Sequence, residues 1–193
     1  MDGEKRSGFW NGVREWAKVI VIALLIALPI RFFIVEPFVV NGASMDPTFS
    51  SGQFLLVDRL TYRFEPPQRG DVIVFEYPND PSVYYIKRIV GLPGERVSLK
   101  DGKVGITEAM ASTTFFLDEP YVEAAHASHD TAPAILLGST QYFVMGDNRA
   151  QSSDSRVWGP LDAGFVIGRP VVRLTPLTEI ALLPGQANET SAK

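Results

Sequence analysis

The chain contains no cysteine, which excludes disulfides and thiolate metal sites. Histidine is almost missing too: His126 and His129 are the only two in 193 residues. A His-x-x-His pair can hold a metal, but no further histidine or cysteine exists to complete the set, so we expect neither metal nor cofactor. The same scarcity argues against a Ser-His-Asp triad. No serine stands in a Gly-x-Ser-x-Gly elbow, and no Ser-x-x-Lys motif occurs. Positive charge is in short supply, with 18 Lys and Arg against 22 Asp and Glu, which argues against a nucleic-acid partner held on a basic surface. Apolar residues are not lacking: at 46% they suffice for a core and make global disorder a poor description.

Only one hydrophobic run is long enough to cross a bilayer. Ala17 to Val35 is interrupted by Lys18 and Arg31 alone, at positions from which both can snorkel to headgroups. A helix of that length covers about 28 Å at ~1.5 Å per residue, close to the roughly 30 Å of a hydrocarbon core. Lys5, Arg6, Arg14 and Lys18 lie at its start, and Trp10 and Trp16 are placed as interfacial anchors. We therefore expect residues 1–16 in the cytoplasm, an uncleaved signal anchor at 17–35 and the remainder outside the plasma membrane. A buried core helix and a cleaved signal peptide are the alternatives. Against cleavage, Arg31, Phe32, Phe33 and Glu36 stand where small residues are needed.

The rest reads as strands. Runs at 54–57, 72–75, 83–90, 97–99, 142–145 and 171–174 are rich in β-branched and aromatic residues and punctuated by Gly, Pro, Asn and Asp. Asp101-Gly102 between Leu99 and Val104 is a two-residue hairpin signal. The fold class expected is all-β, an antiparallel barrel-like domain over 36–182. Within it, 107–139 reads as an inserted loop or small lobe, and 183–193 as a flexible tail.

Three segments invite a chemical reading. Small residues around Ser44 in Asn41-Gly42-Ala43-Ser44-Met45-Asp46-Pro47-Thr48 leave it approachable. Lys87 lies inside an apolar strand, on one face with Tyr85 and Ile89. The segment from Gly146 to Arg156 is dense in small polar and charged groups. Taken singly, each has an ordinary structural reading: a turn cap, a snorkelling lysine and a solvated loop.

Taken together, their order resembles the boxes of the type I signal peptidases, the bacterial leader peptidase family. The likeness runs from Arg31-Phe32-Phe33-Ile34-Val35-Glu36-Pro37-Phe38 through Ser44-Met45-x-Pro47-Thr48 and Arg69-Gly70-Asp71-Val72-Ile73-Val74-Phe75. It continues through Tyr85-Ile86-Lys87-Arg88-Ile89-Val90-Gly91-Leu92-Pro93-Gly94 to Gly146-Asp147-Asn148-Arg149-x-x-Ser152-x-Asp154-Ser155-Arg156. The resemblance implies a membrane-bound serine endopeptidase that cuts signal peptides from exported preproteins through an acyl-enzyme, with membrane lipid as its other partner. Ser44 would be the nucleophile, Lys87 the general base and Ser152 the group orienting the amine. Asp147 would pair with Arg88, and Asp154 with Arg156. The main-chain N–H of Ser44 would donate to the oxyanion. Some members add a hydroxyl two residues before the nucleophile, where this chain has Gly42. An extended substrate would lie between 38–43 and 83–86, with Phe38, Val40, Met45, Tyr85 and Ile86 lining pockets for alanine-sized side chains.

Such a lysine must be desolvated. A free lysine is neutral in about one molecule in 2,500 at pH 7. Lowering its pKa to about 8 would cost roughly 3.3 kcal/mol of folding free energy. Tyr85, Ile86 and Ile89 are the expected sources of that apolar environment.

Overall fold

The computed structural model describes residues 14–25, 35–108, 111 and 113–186. Residues 14–25 are helical, with Trp16, Val19, Ile20, Leu24 and Leu25 exposed. Among the described residues no helix is long and apolar enough to cross a membrane. The anchor expected at 17–35 includes 26–34, which lie outside the described residues.

From Val35 onward the chain is mostly antiparallel β-structure. The strands are Val35–Val39 (β1), Phe54–Asp58 (β2), Val72–Tyr77 (β3), Asp80–Gly91 (β4), Arg96–Lys100 (β5) and Lys103–Thr107 (β6). Thr114–Phe116 (β7), Ala132–Leu136 (β8), Gln141–Met145 (β9), Leu161–Asp162 (β10), Val166–Arg173 (β11) and Ala181–Leu182 (β12) complete the set. The main sheet runs β1-β2-β11-β3-β4-β9-β10, with β12 added to β11. A second sheet of four strands runs β7-β6-β5-β8. The barrel-like expectation holds as far as antiparallel pairing. The hydrogen-bonded path is open, however, with β1 and β10 as its ends.

Every strand read from the sequence is present, and β4 and β11 extend well beyond their expected bounds. The Asp101-Gly102 turn joins β5 to β6 with both residues at positive φ (49° and 77°), as a tight hairpin of this kind requires. The segment 107–139 does not form a bare loop. Its β7 and β8 flank the β5–β6 hairpin and build the second sheet.

β4 from Lys87 onward and β9 from Tyr142 onward are buried on both faces, and alternation divides their side chains between two cores. Ile89, Tyr142 and Val144 join Ile73, Phe75 and Leu161 on one side. Val90, Phe143 and Met145 join Val97, Leu99, Val104, Ile106 and Leu137 on the other. A third cluster of Val40, Met45, Phe49, Leu55 and Val72 sits under the turn after β1. The end of the described chain also departs from expectation. Pro184 is buried and the Gly185 carbonyl accepts from Arg88 Nη1 at 2.5 Å, so 183–186 is docked on the domain. Residues 187–193 of the expected tail lie outside the described residues.

β11 must pair with β2 on one side and β3 on the other, and it bulges where it changes neighbour. Gly168 sits at that crossing. A Cβ there would stand 2.0 Å from the Asp58 carbonyl oxygen, so the backbone would have to move. Gly168→Ala should therefore lower the unfolding free energy by about 1–3 kcal/mol in a denaturant titration, the usual range for overpacking. At Gly164 a Cβ meets only the Asp162 carboxylate at 3.3 Å, and Gly164→Ala should cost less than about 0.5 kcal/mol. Equal losses at the two positions would refute this account of the crossing.

Candidate active site

The turn carrying Ser44 links β1 to β2. Phe49 N–H donates to the Met45 carbonyl at 2.9 Å, closing one helical turn, and both side chains are buried in the third cluster. That burial fixes the turn against the sheet and leaves Ser44 half-buried at its start. Met45 thus differs from expectation: it is 1% exposed and belongs to the core, not to a binding surface.

Lys87 projects from β4, opposite Ile73 of β3. It is 3% exposed. Its Nζ lies 2.7 Å from Ser44 Oγ, donates to the Ile86 carbonyl at 2.9 Å and stands 5.1 Å from the centre of the Tyr85 ring. Burial pushes the amine down to about 8, against Asp154 and Asp147, which pull it back up. About one amine in ten is then neutral at pH 7. In that form the Ser44 hydroxyl donates to the nitrogen, the geometry of a nucleophile held by its base.

The two carboxylates belong to separate buried ion pairs. Asp147 receives both Nε and Nη2 of Arg88, at 2.9 and 2.7 Å, in a fork in which neither side chain is exposed by more than 1%. Thr48 Oγ1 donates to the same carboxylate at 2.6 Å, tying the Ser44 turn to it. Asp154 receives Arg156 Nε and Nη2, each at 2.8 Å, and the Gly146 N–H at 3.0 Å. Burial would raise the Asp154 carboxyl, and Arg156 with these hydrogen bonds holds it below its ordinary value.

Ser152 is placed differently from expectation. Lys87 Nζ bonds Ser44 and the Ile86 carbonyl, not Ser152. The Ser152 hydroxyl is buried and makes no close hydrogen bond among the described residues, though it lies near enough to Asp154 to help lower that carboxyl. It packs on Gly146, where an added Cβ would lie 2.3 Å from Ser152 Oγ and 2.3 Å from the Ser44 carbonyl oxygen. The adjoining Asn148 N–H donates to that carbonyl at 3.1 Å, so the Gly146–Asn148 turn seats the backbone of Ser44.

A cleft of about 280 Å³ opens over the pair. Phe38, Val40, Tyr85 and Ile86 line it as expected, together with Val39, Tyr84, Gln151 and Ser153. Both flanks are unpaired strand edges. Among the described residues β1 pairs with β2 alone, and β4 meets β9 only from Arg88 onward. Sequence reasoning missed Thr48, Glu119 and Tyr121 as neighbours of this centre. Tyr121 places its ring 4.0 Å from the Arg88 guanidinium, and Glu119 pairs with Arg149. Thr48 and Arg149 stand inside the matched boxes, which was a usable signal. Nothing local marks Glu119 or Tyr121.

Comparisons with known proteins point to one family. A family model described as signal peptidase, peptidase S26, matches residues 13–175. A probable signal peptidase I-1 of Synechocystis sp. is 36% identical over 174 residues, covering 86% of this chain and 85% of its own. A signal peptidase I of Bacillus licheniformis is 35% identical over 189 residues, covering 93% and 98%. A solved signal peptidase I from Enterococcus faecalis is 30% identical with a TM-score of 0.45, covering 54% of this chain and 97% of that one. On the breadth of the family match and the extent of these relatives, the chain belongs to the signal peptidase family, peptidase S26.

Proposed function

We propose that this chain is a membrane-anchored Ser/Lys endopeptidase that removes signal peptides from exported preproteins, with Ser44 as nucleophile and Lys87 as general base. The observation that carries the reading is the 2.7 Å approach of Lys87 Nζ to Ser44 Oγ in a site dry enough to bring the amine to about 8. As Ser44 Oγ bonds the scissile carbonyl carbon, its proton passes to Nζ. The oxyanion receives the Ser44 main-chain N–H; Gly42 has no hydroxyl to add. The ammonium then protonates the departing amine, releasing the mature chain and leaving an acyl-enzyme. Water, deprotonated by the same amine, completes the cycle. Asp154 and Asp147 stabilise the transient ammonium through space.

The two bare strand edges favour a substrate that enters as an added strand, held by main-chain hydrogen bonds. Phe38 and Tyr84 touch edge to face at 5.3 Å between β1 and β4, which narrows the cleft and favours small side chains near the cut. Ser152 remains the orienting group in this reading. Its buried hydroxyl lies near Asp154 and makes no close hydrogen bond, and an ammonium has a third donor to offer. The anchor over 17–35 keeps the active site at the membrane surface where the cleavage site also emerges, and proximity of that kind favours reaction. The hydrophobic run, its basic flank and the helix at 14–25 support it.

Lys87→Ala and Lys87→Arg should both abolish cleavage of a signal-peptide substrate while the protein stays folded, because arginine does not yield its proton. In the unaltered enzyme the rate should rise with pH through about 8, since below that value the amine is protonated and cannot accept from Ser44. Near-normal turnover by Lys87→Arg would end the proposal. Ser152→Ala should lower kcat by about 10²-fold or more with little change in KM, because general-base catalysis of this size depends on the amine's aim. Ser139→Ala, exposed between β8 and β9, should leave kcat within about twofold, and equal kcat losses would remove Ser152 from the mechanism. N-terminal sequencing of protein extracted from membranes in detergent tests the anchor. A chain retaining the segment before Val35 is expected, and a mature chain starting at Ser44 would contradict it.

A further inference from the structure

The small lobe at 107–139 sends two carboxylates toward the centre: Asp130, half-exposed, onto Arg156, and Glu119, buried, onto Arg149. Glu119 receives both arms of Arg149, Nη1 at 3.1 Å and Nη2 at 2.5 Å, in a pair whose side chains are 9% and 2% exposed. Arg149 is folded back so that its Nε donates to the Gly146 carbonyl at 3.0 Å. Gly146 is the residue pressed against the Ser44 carbonyl, and Asn148 of the same turn donates to that carbonyl. Hydrogen bonds from Glu119 to Arg149 and from Arg149 to Gly146, then the backbone of 146–148 and the Asn148 N–H, lead to the carbonyl of Ser44. The Tyr121 hydroxyl donates to Glu119 at 3.0 Å while its ring covers Arg88, which holds Asp147.

We propose that Glu119 is a positioning residue for the Ser44–Lys87 pair, acting through Arg149 on the Gly146–Asn148 turn. The inference rests on the Ser/Lys reading above and adds a role for the lobe. The chemistry explains why a carboxylate is needed. Arg149 cannot lose its charge, and a buried guanidinium without a counter-ion seeks the nearest acid. That acid is Asp147, already shared by Arg88 and Thr48. With Glu119 neutral, Arg149 competes for Asp147, the Gly146 carbonyl loses its donor, and the turn under Ser44 loosens. Catalysis needs the hydroxyl and amine aligned to a fraction of an ångström, whereas substrate held along β1 and β4 does not touch this network.

The test uses the full chain in detergent and a fluorogenic peptide with alanine one and three residues before the cut. Glu119→Gln should lower kcat about 10- to 100-fold and leave KM within about twofold. Arg149→Met should do the same, and the double variant should be no worse than the poorer single, the signature of two residues acting as one unit. Unchanged kcat, a rise in KM alone, or additive losses would each overturn the proposal. If Glu119→Gln lacks a folded β-sheet spectrum, Tyr121→Phe takes its place: it removes one hydrogen bond to Glu119 and keeps the ring over Arg88. A several-fold lower kcat there supports the proposal, and a wild-type kcat overturns it. Lys87→Ala separates the two ideas. Activity in that variant would overturn the Ser/Lys pair itself, whereas an inactive Lys87→Ala beside a fully active Glu119→Gln would overturn only the role of Glu119.

Discussion

The centre depends on keeping one amine out of water. At neutral pH, burying Lys87 costs roughly 3 kcal/mol, from an amine lowered from 10.5 to about 8. The cost is present in full below pH 8, shrinks as pH rises and is gone above the unfolded value of 10.5, so this group alone makes the fold more stable in mild alkali. A carboxylate bonded directly to the amine would remove the cost and also keep the proton in place. The structure avoids that. Asp147 and Asp154 are close enough to be felt, yet each is occupied by an arginine, Arg88 and Arg156. Arginine suits this task because its fork binds both carboxylate oxygens and never becomes neutral.

The same ion pairs join the layers of the fold. Arg88 leaves β4 on the face opposite Lys87 and Ile89, and its guanidinium also takes the carbonyls of Gly70 and Gly185. Arg156 reaches the carbonyl of Arg149 and the side chains of Ser128 and Asp130 in the lobe. Fully buried pairs seldom add net stability over apolar packing. Here they specify position, bringing the Ser44 turn, β4 and the segment 146–156 to one point.

Much of this was legible in the sequence, for physical reasons that differ by element. The strands showed because they carry β-branched and aromatic residues between turn formers, and the β5–β6 hairpin because Asp-Gly permits positive φ. Strands β7 and β8 were hidden. Thr114–Phe116 is three residues long, and Ala132–Leu136 has its last four residues exposed, so neither shows alternation. Ser44 and Lys87 could be picked out because both stand in boxes with several fixed neighbours. Met45 was misplaced because a hydrophobic residue beside a nucleophile can face a pocket or a core, and only the helical turn to Phe49 decides. The fork between Glu119 and Arg149 spans 30 residues and depends on how the lobe folds back, which no local pattern encodes.

The tie from Arg88 to the Gly185 carbonyl spans 97 residues and reaches almost to the end of the described chain. It sets an order of events during synthesis. The strand carrying the lysine leaves the ribosome early, but the buried arginine beside it lacks one of its acceptors until residue 185 has been made. Ser44, Lys87 and the residues of 146–156 can all have been synthesised while the shell of Arg88 is still incomplete. Chains that stop short of Gly185 are left with an arginine whose shell is open.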